Sequence, residues 1–510
     1  MKTRRIISST LILVLLVAFF AGCTKSPEPL SPDNLGTPKM GGDITVGIAQ
    51  DFDATLDPHS ILSAATREFL FNTYEGLVKP TSDAQFVPAV AESYSVSPSG
   101  DAYTFKLRAD VMFHNGDIVK VEDVVYSLRR AAGLDTGKAL VPGLSIVESV
   151  EASDESTIVV NLTEPNIEVL ASLTAPIIPD GNDPAVDMIG TGPFKFSSRV
   201  PTENIVIEKF TEYWGKPAYL DKITYNVIES VETIIMSLKS GAVDFAPHLS
   251  PSNIFELGEG FNVVEGSMNI IQALYINHAH APFDNLNVRR ALSYAIDKYE
   301  VMEYTSDGKG LPLGSSMYPT FLQYFREDLV DYYVADTAKA KQLLADAGYP
   351  DGFTMEITVP TIYPIHVDAA VVIAEQLKEI GVTVNIKQVD WPTWLTETYL
   401  GRDYQTTIIG LDANFLAPRY LLERFTSTSS SNFISFNNAE YDSVFQDALS
   451  CLDENEKIAL YGRLQEILAE EAANIYFQDV CDMVAMQANM GGYEYYPLYV
   501  VDMSKVYFTE

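Results

Sequence analysis

Two hydrophobic periods alternate along the chain, and together they restrict its fold more than any other feature of the sequence. Apolar residues occupy every second position in residues 44–48 and 103–107, which predicts half-buried β-strands. In residues 121–128 and 288–295 they recur at i, i+3, i+4 and i+7, which predicts helices with one apolar face. Because 510 residues with 47% hydrophobic content can bury a large core, the mixture predicts an α/β protein of at least two lobes.

Capping residues mark where two further helices begin and end. Asp336 is a candidate N-cap, and Gly348 follows the last apolar residue of the same helical face. A second apolar face runs through residues 370–377, stops at Gly381 and is followed by the alternating pattern of residues 382–386. This order of helix and strand extends the α/β pattern into the second half of the chain.

The first 40 residues predict export and a tether. Positively charged residues precede the apolar stretch 6–20, which is shorter than the roughly 18–20 residues of a membrane-spanning helix. Residues 1–22 are therefore predicted to be a signal peptide, with a permanent anchor helix as the weaker alternative.

Small residues before Cys23 resemble the lipobox of bacterial lipoproteins, in which that cysteine is acylated. Residues 23–40, rich in proline and serine, favour a flexible tether; an ordinary signal peptide with an incidental cysteine is the alternative.

The charge of the chain excludes one class of partner. Its formal net charge at pH 7 is −35, whereas binding to phosphates needs concentrated lysine and arginine. No nucleic-acid partner is therefore expected. An acidic surface instead favours solubility and self-repulsion at a crowded cell surface.

The sequence lacks the common motifs of enzymes, cofactor sites and metal sites. It contains no G-x-S-x-G elbow, no H-E-x-x-H, no phosphate loop and no dinucleotide turn, so neither an enzyme nor a cofactor is expected. His278 and His280 would chelate a metal only from one face of a strand, but the proline that follows indicates loop histidines, and no metal site is predicted. Cys451 and Cys481 have the spacing of neither a redox pair nor a zinc site, which leaves one disulfide or two free thiols.

Short motifs follow one another from about Gly41 to the C-terminus. They are Leu56-Asp-Pro-His59, Tyr74-Glu-Gly-Leu77, Tyr103-Thr-Phe-Lys-Leu-Arg108, Phe113-His-Asn-Gly-Asp117, Val121-Glu-Asp-Val-Val-Tyr-Ser127, Gly190-Thr-Gly-Pro-Phe-Lys195, Asn287-Val-Arg-Arg-Ala-Leu-Ser-Tyr-Ala-Ile-Asp297, Tyr441-Asp442 and Gly491-Gly492-Tyr493. In this order they resemble the family 5 extracellular solute-binding proteins of bacterial ABC importers, which include oligopeptide-, dipeptide- and nickel-binding proteins. Each motif is weak alone, and the ordered set is specific.

That resemblance implies a two-lobed α/β fold of the type II periplasmic-binding-protein kind, with an extra subdomain inserted in lobe one. The implied bounds are 41–270 for lobe one with its insertion at about 55–180, 271–480 for lobe two, and 481–510 for the return to lobe one. Two crossings between the lobes, near 268–276 and 478–487, would form a hinge. Ligand would then bind in the cleft between the lobes and favour its closure.

The resemblance also implies a function. The chain would be the substrate-binding lipoprotein of an ABC importer, capturing short peptides and delivering them to the membrane permease. Its partners would be the peptide, the permease subunits and, through the lipid on Cys23 only, the membrane. We expect a monomer at the outer face of the bacterial cell membrane or in the periplasm. The alternatives are the same fold binding another solute, such as nickel or a metal chelate, an opine or an oligosaccharide, and, less expected, an enzyme.

Features that every peptide shares determine which residues are expected to bind it. Asp412, after the strand-like residues 406–411, matches the aspartate that receives the α-ammonium in peptide-binding members; a loop or helix-capping aspartate is the alternative. The resemblance places contacts with the peptide backbone at Leu62, Ser63 and Ala64 on one lobe and at Ile409, Gly410 and Leu411 on the other. Tyr275 and Asn277 complete the set of ligand-binding candidates.

One departure from the family pattern concerns the other end of the peptide. Peptide-binding relatives use arginines before the aspartate to receive the α-carboxylate, whereas this chain has Thr398 and Thr406 in the matching stretch. Arg402 and Arg419 are the nearby substitutes, and both are expected to be solvated surface residues. The sequence therefore leaves open how a ligand carboxylate is bound.

A sugar ligand would favour aromatic platforms in the cleft. Trp391 and Trp394 are the candidates for such platforms. Tryptophans are more often core or interface residues, so the sugar alternative carries little weight.

Overall fold

Two mixed sheets organise the computed structural model, which describes residues 36–61, 63–166, 168–413 and 417–510. The strands of the first sheet lie in the order Phe261–Ser267, Cys481–Gln487, Phe245–Leu249, Asp43–Ile48, Lys222–Val227, Asn204–Lys209 and Phe194–Val200. Those of the second lie in the order Leu311–Pro312, Asn474–Asp479, Ile271–Ile276, Thr406–Leu411, Thr354–Pro360 and Thr383–Val389. Each sheet forms the centre of one lobe, and the predicted two-lobed α/β fold is confirmed.

The chain passes between the two sheets at two neighbouring segments. It leaves the first sheet after Ser267 and enters the second at Ile271, and it returns between Asp479 and Cys481. Ser267 pairs with Cys481 at the end of the first sheet, so the two crossings run side by side. A main-chain hydrogen bond from Met268 N to Val480 O, 2.9 Å long, joins them. The lobe limits inferred from the sequence stay a prediction.

A separate sheet is inserted in the first lobe. Its strands lie in the order Ala91–Val96, Ala102–Leu107, Thr157–Leu162 and Val147–Ala152. Helix Val121–Ala132 packs against this sheet because its apolar stripe, including the fully buried Val124, faces the same core. In sequence the sheet lies between strands Asp43–Ile48 and Phe194–Val200 of the first lobe, which makes it an insertion.

Helices cover both faces of the second sheet. On one face, helices Leu286–Ala295, Thr337–Asp346 and Pro364–Lys378 share an apolar core with the strands. On the other face the core includes residues of helices Ala439–Ser450 and Glu454–Glu470. Strands buried on both faces need apolar side chains or polar side chains with partners. In strand Thr406–Leu411, Ile408 and Ile409 are apolar, and the buried hydroxyls of Thr406 and Thr407 donate to Glu356 O and Thr358 O.

Capping follows the sequence prediction at both tested helices. The Asp336 side chain accepts a 2.9 Å hydrogen bond from Lys339 N, and Gly348, with a φ of 92°, follows the C-cap residue Ala347. Helix Pro364–Lys378 is followed by Gly381 with a φ of 82° and then by strand Thr383–Val389. These predictions are confirmed.

Shorter elements complete the structure. The remaining helices and turns of helix are Ala64–Phe71, Pro142–Leu144, Val169–Ser172, Val231–Ser240, Pro251–Leu257, Lys298–Ser306, Pro319–Tyr324, Glu327–Leu329, Trp391–Thr393, Trp394–Leu400, Arg419–Leu422 and Glu423–Phe425. The remaining strands are the hairpin Val78–Pro80 with Phe86–Pro88 and the small sheet Pro38–Lys39, Tyr507–Thr509 and Met490–Gly491. The end of the expected tether therefore lies in a strand. Across the described ranges, no helix combines the length and hydropathy needed to cross a membrane.

Candidate ligand-binding cleft

Asp412 lies where a central strand of the second lobe ends. Strand Thr406–Leu411 is flanked by Ile271–Ile276, with Ile271 opposite Leu411, and by Thr354–Pro360. The strand is buried from Thr406 to Ile409 and becomes partly exposed at its last two residues. The sheet therefore presents the next side chain, the Asp412 carboxylate, at the edge of the lobe.

An arginine of the first lobe meets this carboxylate. Arg67, on helix Ala64–Phe71, donates from Nη1 to Asp412 Oδ2 at 2.7 Å. Their side chains are 24% and 28% exposed, so the pair is partly shielded and still accessible from solvent. An ion pair with this exposure is partly screened, and we expect it to contribute about 1 kcal/mol or less to stability. Its significance is therefore its position between the lobes.

The charge of Asp412 acts on the side chains of three tyrosines. Burial and then the charge of Asp412 raise the pKa of Tyr318 and the pKa of Tyr363 above the ordinary value. The pKa of Tyr499 is also raised, chiefly by burial and with a contribution from Asp412. The Tyr363 ring meets Trp391 edge to face at 5.7 Å. Asp412 therefore lies near buried tyrosines, in surroundings where a charge-assisted hydrogen bond to a cationic group is stronger than on an open surface.

A buried cation supports the main chain at Asp412. Arg424 is 9% exposed and donates from Nη2 to Asp412 O at 3.1 Å. Its Nε is buried and finds no hydrogen-bond acceptor among the described residues. Arg424 therefore fixes the backbone from which the Asp412 carboxylate projects.

A charged cluster in the first lobe positions the helix that carries Arg67. His248 Nε2 lies 2.6 Å from Glu68 Oε1, and its Nδ1 lies 3.2 Å from Asp482 Oδ2. Burial acts to lower the pKa of His248, but the two carboxylates outweigh it and hold that pKa well above the ordinary value. The His248 ring also stacks on Tyr499, with ring centres 4.6 Å apart. A charged imidazole thus joins the helix, strand Cys481–Gln487 and the tyrosine beside Asp412.

Sequence reasoning missed Arg67, Glu68, His248 and Asp482. One signal was available, because each is a polar residue in a short, otherwise largely apolar element. Charged residues are seldom buried without a partner, so such positions point to paired groups. What the sequence lacks is the identity of the partner, since Arg67 and Asp412 lie 345 residues apart.

Two of the candidates at 62–64, Ser63 and Ala64, lie at the start of the helix that carries Arg67. Leu62 is outside the described residues. Ser63 is the N-cap: its side chain accepts from Thr66 N, and its own N–H donates to Asp53 Oδ2 at 3.1 Å. Ala64 is the first residue of the helix. Their contact with a peptide stays a prediction, and the N–H of Ser63 already has an acceptor.

The candidates at 409–411 form the last half of the strand before Asp412. Ile409 is buried, and Gly410 and Leu411 are partly exposed. Gly410 N donates to His366 Nε2 at 3.1 Å, and burial lowers the pKa of His366 to about 3, which keeps that nitrogen available as an acceptor. A Cβ at Gly410 would lie 2.5 Å from the tip of the Ile270 side chain, which would have to shift to admit a larger residue. The strand is thus close to Asp412, and its binding role stays a prediction.

Tyr275 and Asn277 lie inside the second lobe. Tyr275 is fully buried, donates to Ile271 O at 3.1 Å and packs against Phe433. Asn277 is 1% exposed, and its amide donates to the main-chain oxygens of Arg402 and Tyr404. Both contribute to the architecture of the lobe, and a role in binding stays a prediction.

The threonines and the substitute arginines occupy different environments. Thr398 and Thr406 are buried, and Thr406 donates to Glu356 O at 2.7 Å. Arg402 is exposed, as predicted. The prediction for Arg419 is wrong: its side chain is 11% exposed, because it pairs with Glu423 and lies over the Tyr420 ring.

The other residues discussed from the sequence have local partners. His278 Nε2 lies 2.9 Å from Ala473 O, and burial lowers the pKa of this histidine to about 4. Trp394 is 2% exposed and stacks on Trp391 at 5.2 Å, which confirms the core interpretation for Trp394. Cys451 and Cys481 are free thiols. Cys23 lies outside the described residues.

Two lobes joined by adjacent crossings are the architecture of periplasmic binding proteins, which close around a ligand by a hinge. The family model of the bacterial extracellular solute-binding proteins, family 5, matches residues 85–433, and the chain belongs to this family. The resemblance drawn from the motifs is confirmed. By its description, the family consists of extracellular proteins that bind solutes.

Individual proteins are similar over nearly the whole chain. The oligopeptide-binding protein AppA of Bacillus subtilis is 26% identical over 528 residues, which cover 95% of each protein. The glutathione-binding protein GsiB of Salmonella typhimurium is 28% identical over 457 residues, with 84% of this chain and 87% of GsiB covered. The periplasmic binding protein DppA of Helicobacter pylori, solved with the peptide STSA, has a TM-score of 0.80 and 25% identity, with 92% of this chain and 99% of DppA covered.

Proposed function

We propose that this protein is the substrate-binding lipoprotein of an ABC importer, capturing short peptides between its two lobes and delivering them to the membrane permease. The observation that carries the proposal is the Asp412 carboxylate, which is partly shielded at a strand end and faces Arg67 of the other lobe. Similar proteins support it, since AppA and DppE of Bacillus subtilis are named for oligopeptide and dipeptide binding.

Asp412 would anchor the α-ammonium of the peptide. A carboxylate among aromatic rings forms a charge-assisted hydrogen bond that is stronger than one on an open surface. Neighbouring main-chain groups at Ile409 and Leu411, and at 62–64 across the cleft, would pair with the peptide backbone as an added strand does. Such contacts involve only the main chain of the peptide. A protein that uses them can therefore bind peptides with many different side chains.

Closure of the cleft would follow from the two crossings between the sheets. In the part of the chain that the structure describes, the two sheets are connected by residues 268–270 and by Val480, which run side by side. A pair of short adjacent segments can absorb a rotation of one lobe against the other. Ligand contacts with both lobes would stabilise the closed state.

The location we propose is the outer face of the bacterial cell membrane or the periplasm, with a lipid on Cys23 as the membrane attachment. It rests on the apolar stretch 6–20 and on the small residues before Cys23. A monomer with no nucleic-acid partner completes the proposal. Replacing Cys23 by serine should move the protein to the soluble fraction, and a Cys23→Ser variant that still needs detergent would contradict the anchor.

Substitution of Asp412 tests the binding proposal. Asp412→Asn keeps the shape and removes the charge, so it should weaken binding of a tripeptide about tenfold or more, since hydrogen bonds to charged groups contribute about 1.5–3 kcal/mol. The N-acetylated tripeptide lacks the ammonium and should lose far less. Calorimetric titration of both proteins with both peptides measures this difference. Equal losses would indicate a structural aspartate, and a bound solute other than a peptide would favour the alternatives of opine, metal chelate or sugar.

A further inference from the structure

We infer that Arg67 binds the carboxylate of the ligand, so that the Arg67–Asp412 ion pair is exchanged for two ion pairs with one zwitterionic dipeptide. This inference rests on the proposed function, because it assigns the second charge-recognising residue of the same cleft. It addresses the departure noted in the sequence, where threonines replace the arginines expected to receive a carboxylate.

The geometry directs Arg67 to the place where a ligand carboxylate is needed. Its guanidinium lies 2.7 Å from a carboxylate oxygen of Asp412, and 24% of its side chain is exposed. The guanidinium fork matches carboxylate geometry, and it can exchange one carboxylate for another without a change of chemistry. The neighbouring Glu68 binds His248 at 2.6 Å and holds the helix in place, which keeps Arg67 directed across the cleft.

The other arginines discussed above contact groups other than the Asp412 carboxylate. Arg424 is 9% exposed and donates to the main-chain oxygen of Asp412. Arg402 donates to Ser430 O, and Arg419 pairs with Glu423. Among these residues, Arg67 is the cation that meets the Asp412 side chain.

Charge balance explains why the ligand should carry both charges. A ligand with only an ammonium must displace Arg67 from Asp412 and offers Arg67 no carboxylate in return. A zwitterion replaces one ion pair by two. Binding therefore selects ligands with both groups, because leaving a shielded charge uncompensated is costly.

The contact between the two side chains also limits ligand length. An extended chain spans about 3.3–3.6 Å per residue, so the termini of a dipeptide lie about 7 Å apart and those of a hexapeptide about 20 Å. Arg67 can move aside by the length of its own side chain, which accommodates the shorter separation. A dipeptide is thus the peptide that satisfies both residues at once.

The test compares charged and blocked dipeptides. Native mass spectrometry of the whole protein with an equimolar dipeptide mixture selects the strongest binder, and calorimetry then compares it with its C-terminal amide. Arg67→Gln should weaken the dipeptide about tenfold or more, since it removes a hydrogen-bonded charge. The amide should bind unchanged or tighter, because it no longer competes with Arg67 for Asp412. Arg129→Gln is the matched control, since its ion pair with Asp135 lies in the inserted subdomain, and it should change neither affinity.

The outcomes separate the inference from the proposed function. Equal losses for the dipeptide and its amide in Arg67→Gln would overturn the inference and leave peptide binding intact. Failure of the wild-type protein to bind any peptide would overturn both. If Arg67→Gln does not fold, Arg67→Lys keeps the charge without the fork; a smaller loss confined to the free dipeptide supports the inference, and equal losses overturn it.

Discussion

The carboxylates near the cleft differ in what surrounds them, and that difference determines their roles. Asp412 is partly exposed and meets Arg67 across the cleft. Asp479, which directly precedes the second crossing, is fully buried and accepts from Ile270 N at 3.0 Å through Oδ1. Its Oδ2 finds no partner in the described part of the chain. Asp412 is therefore suited to binding a ligand, whereas Asp479 should contribute to stability in a way that depends on pH.

Asp479 should make the protein less stable as the pH rises. Burial raises its pKa from the ordinary 3.8 to about 7. The folded state therefore holds this proton more tightly than the unfolded state, so the contribution is complete below about pH 4 and is lost as the pH rises through 7. Asp479→Asn, which is neutral at every pH, should raise the free energy of unfolding by at least about 1 kcal/mol at pH 8.

Urea unfolding at pH 5 and pH 8 measures this effect. The gain at pH 8 should be clearly larger than any change at pH 5, and the exposed Asp180, changed to Asn, should show no such difference. A variant that is as destabilised at pH 8 as at pH 5 would mean that Asp479 acts only through its hydrogen bonds.

At the residue scale, the sequence indicated one half of the candidate site. The position of Asp412 could be predicted because this residue directly follows a strand-like run. Such a local pattern is visible in the sequence. Arg67 could not be placed opposite it, because nothing local links residues 345 positions apart. Arg419 was misplaced for a related reason: its burial depends on Glu423 and the Tyr420 ring packing around it.

Among the elements, the helices and strands with clear periodicity were predicted well. Strand Ala102–Leu107, helix Val121–Ala132 and helix Leu286–Ala295 all lie where their apolar spacing predicts. The order of the strands in each sheet could not be predicted. One strand from near the end of the chain, Cys481–Gln487, lies between strands Phe261–Ser267 and Phe245–Leu249. This pairing is determined by tertiary packing, which local sequence patterns do not reveal.

The helix of the inserted subdomain depends on a glycine at its end. Gly133 follows helix Val121–Ala132 with a φ of 68°, and a Cβ there would lie 2.1 Å from Lys138 O. Gly137 has a similar φ of 73°, but a Cβ would meet nothing within 4 Å. Gly137→Ala should therefore lower the free energy of unfolding by only about 1 kcal/mol, which is the cost of holding an alanine in the left-handed conformation.

Gly133→Ala should cost at least about twice as much, because it adds a clash with the main chain to the same conformational penalty. Chemical unfolding of the two variants compares them directly, with Gly137→Ala as the matched control. Similar losses for both would show that the main chain around Lys138 moves aside freely.

Over the whole molecule, two sheets joined by a pair of adjacent crossings account for the proposed capture of ligand. In the described structure the lobes meet at the Arg67–Asp412 pair. They also meet where Tyr461 donates to Glu168 Oε2 at 2.7 Å, which joins the inserted subdomain to helix Glu454–Glu470. Opening of the cleft would break contacts of this kind. A ligand that contacts both lobes would replace the Arg67–Asp412 pair and hold the lobes together, so it should shift the balance towards the closed state.

Small-angle X-ray scattering during a peptide titration measures whether the ligand closes the two lobes. With calorimetry on the same samples to establish occupancy, the radius of gyration of the wild-type protein should fall as peptide is added. The fall should level off at the same peptide concentration as the heat of binding. A radius of gyration that stays constant while calorimetry shows saturation would contradict capture by closure of two lobes.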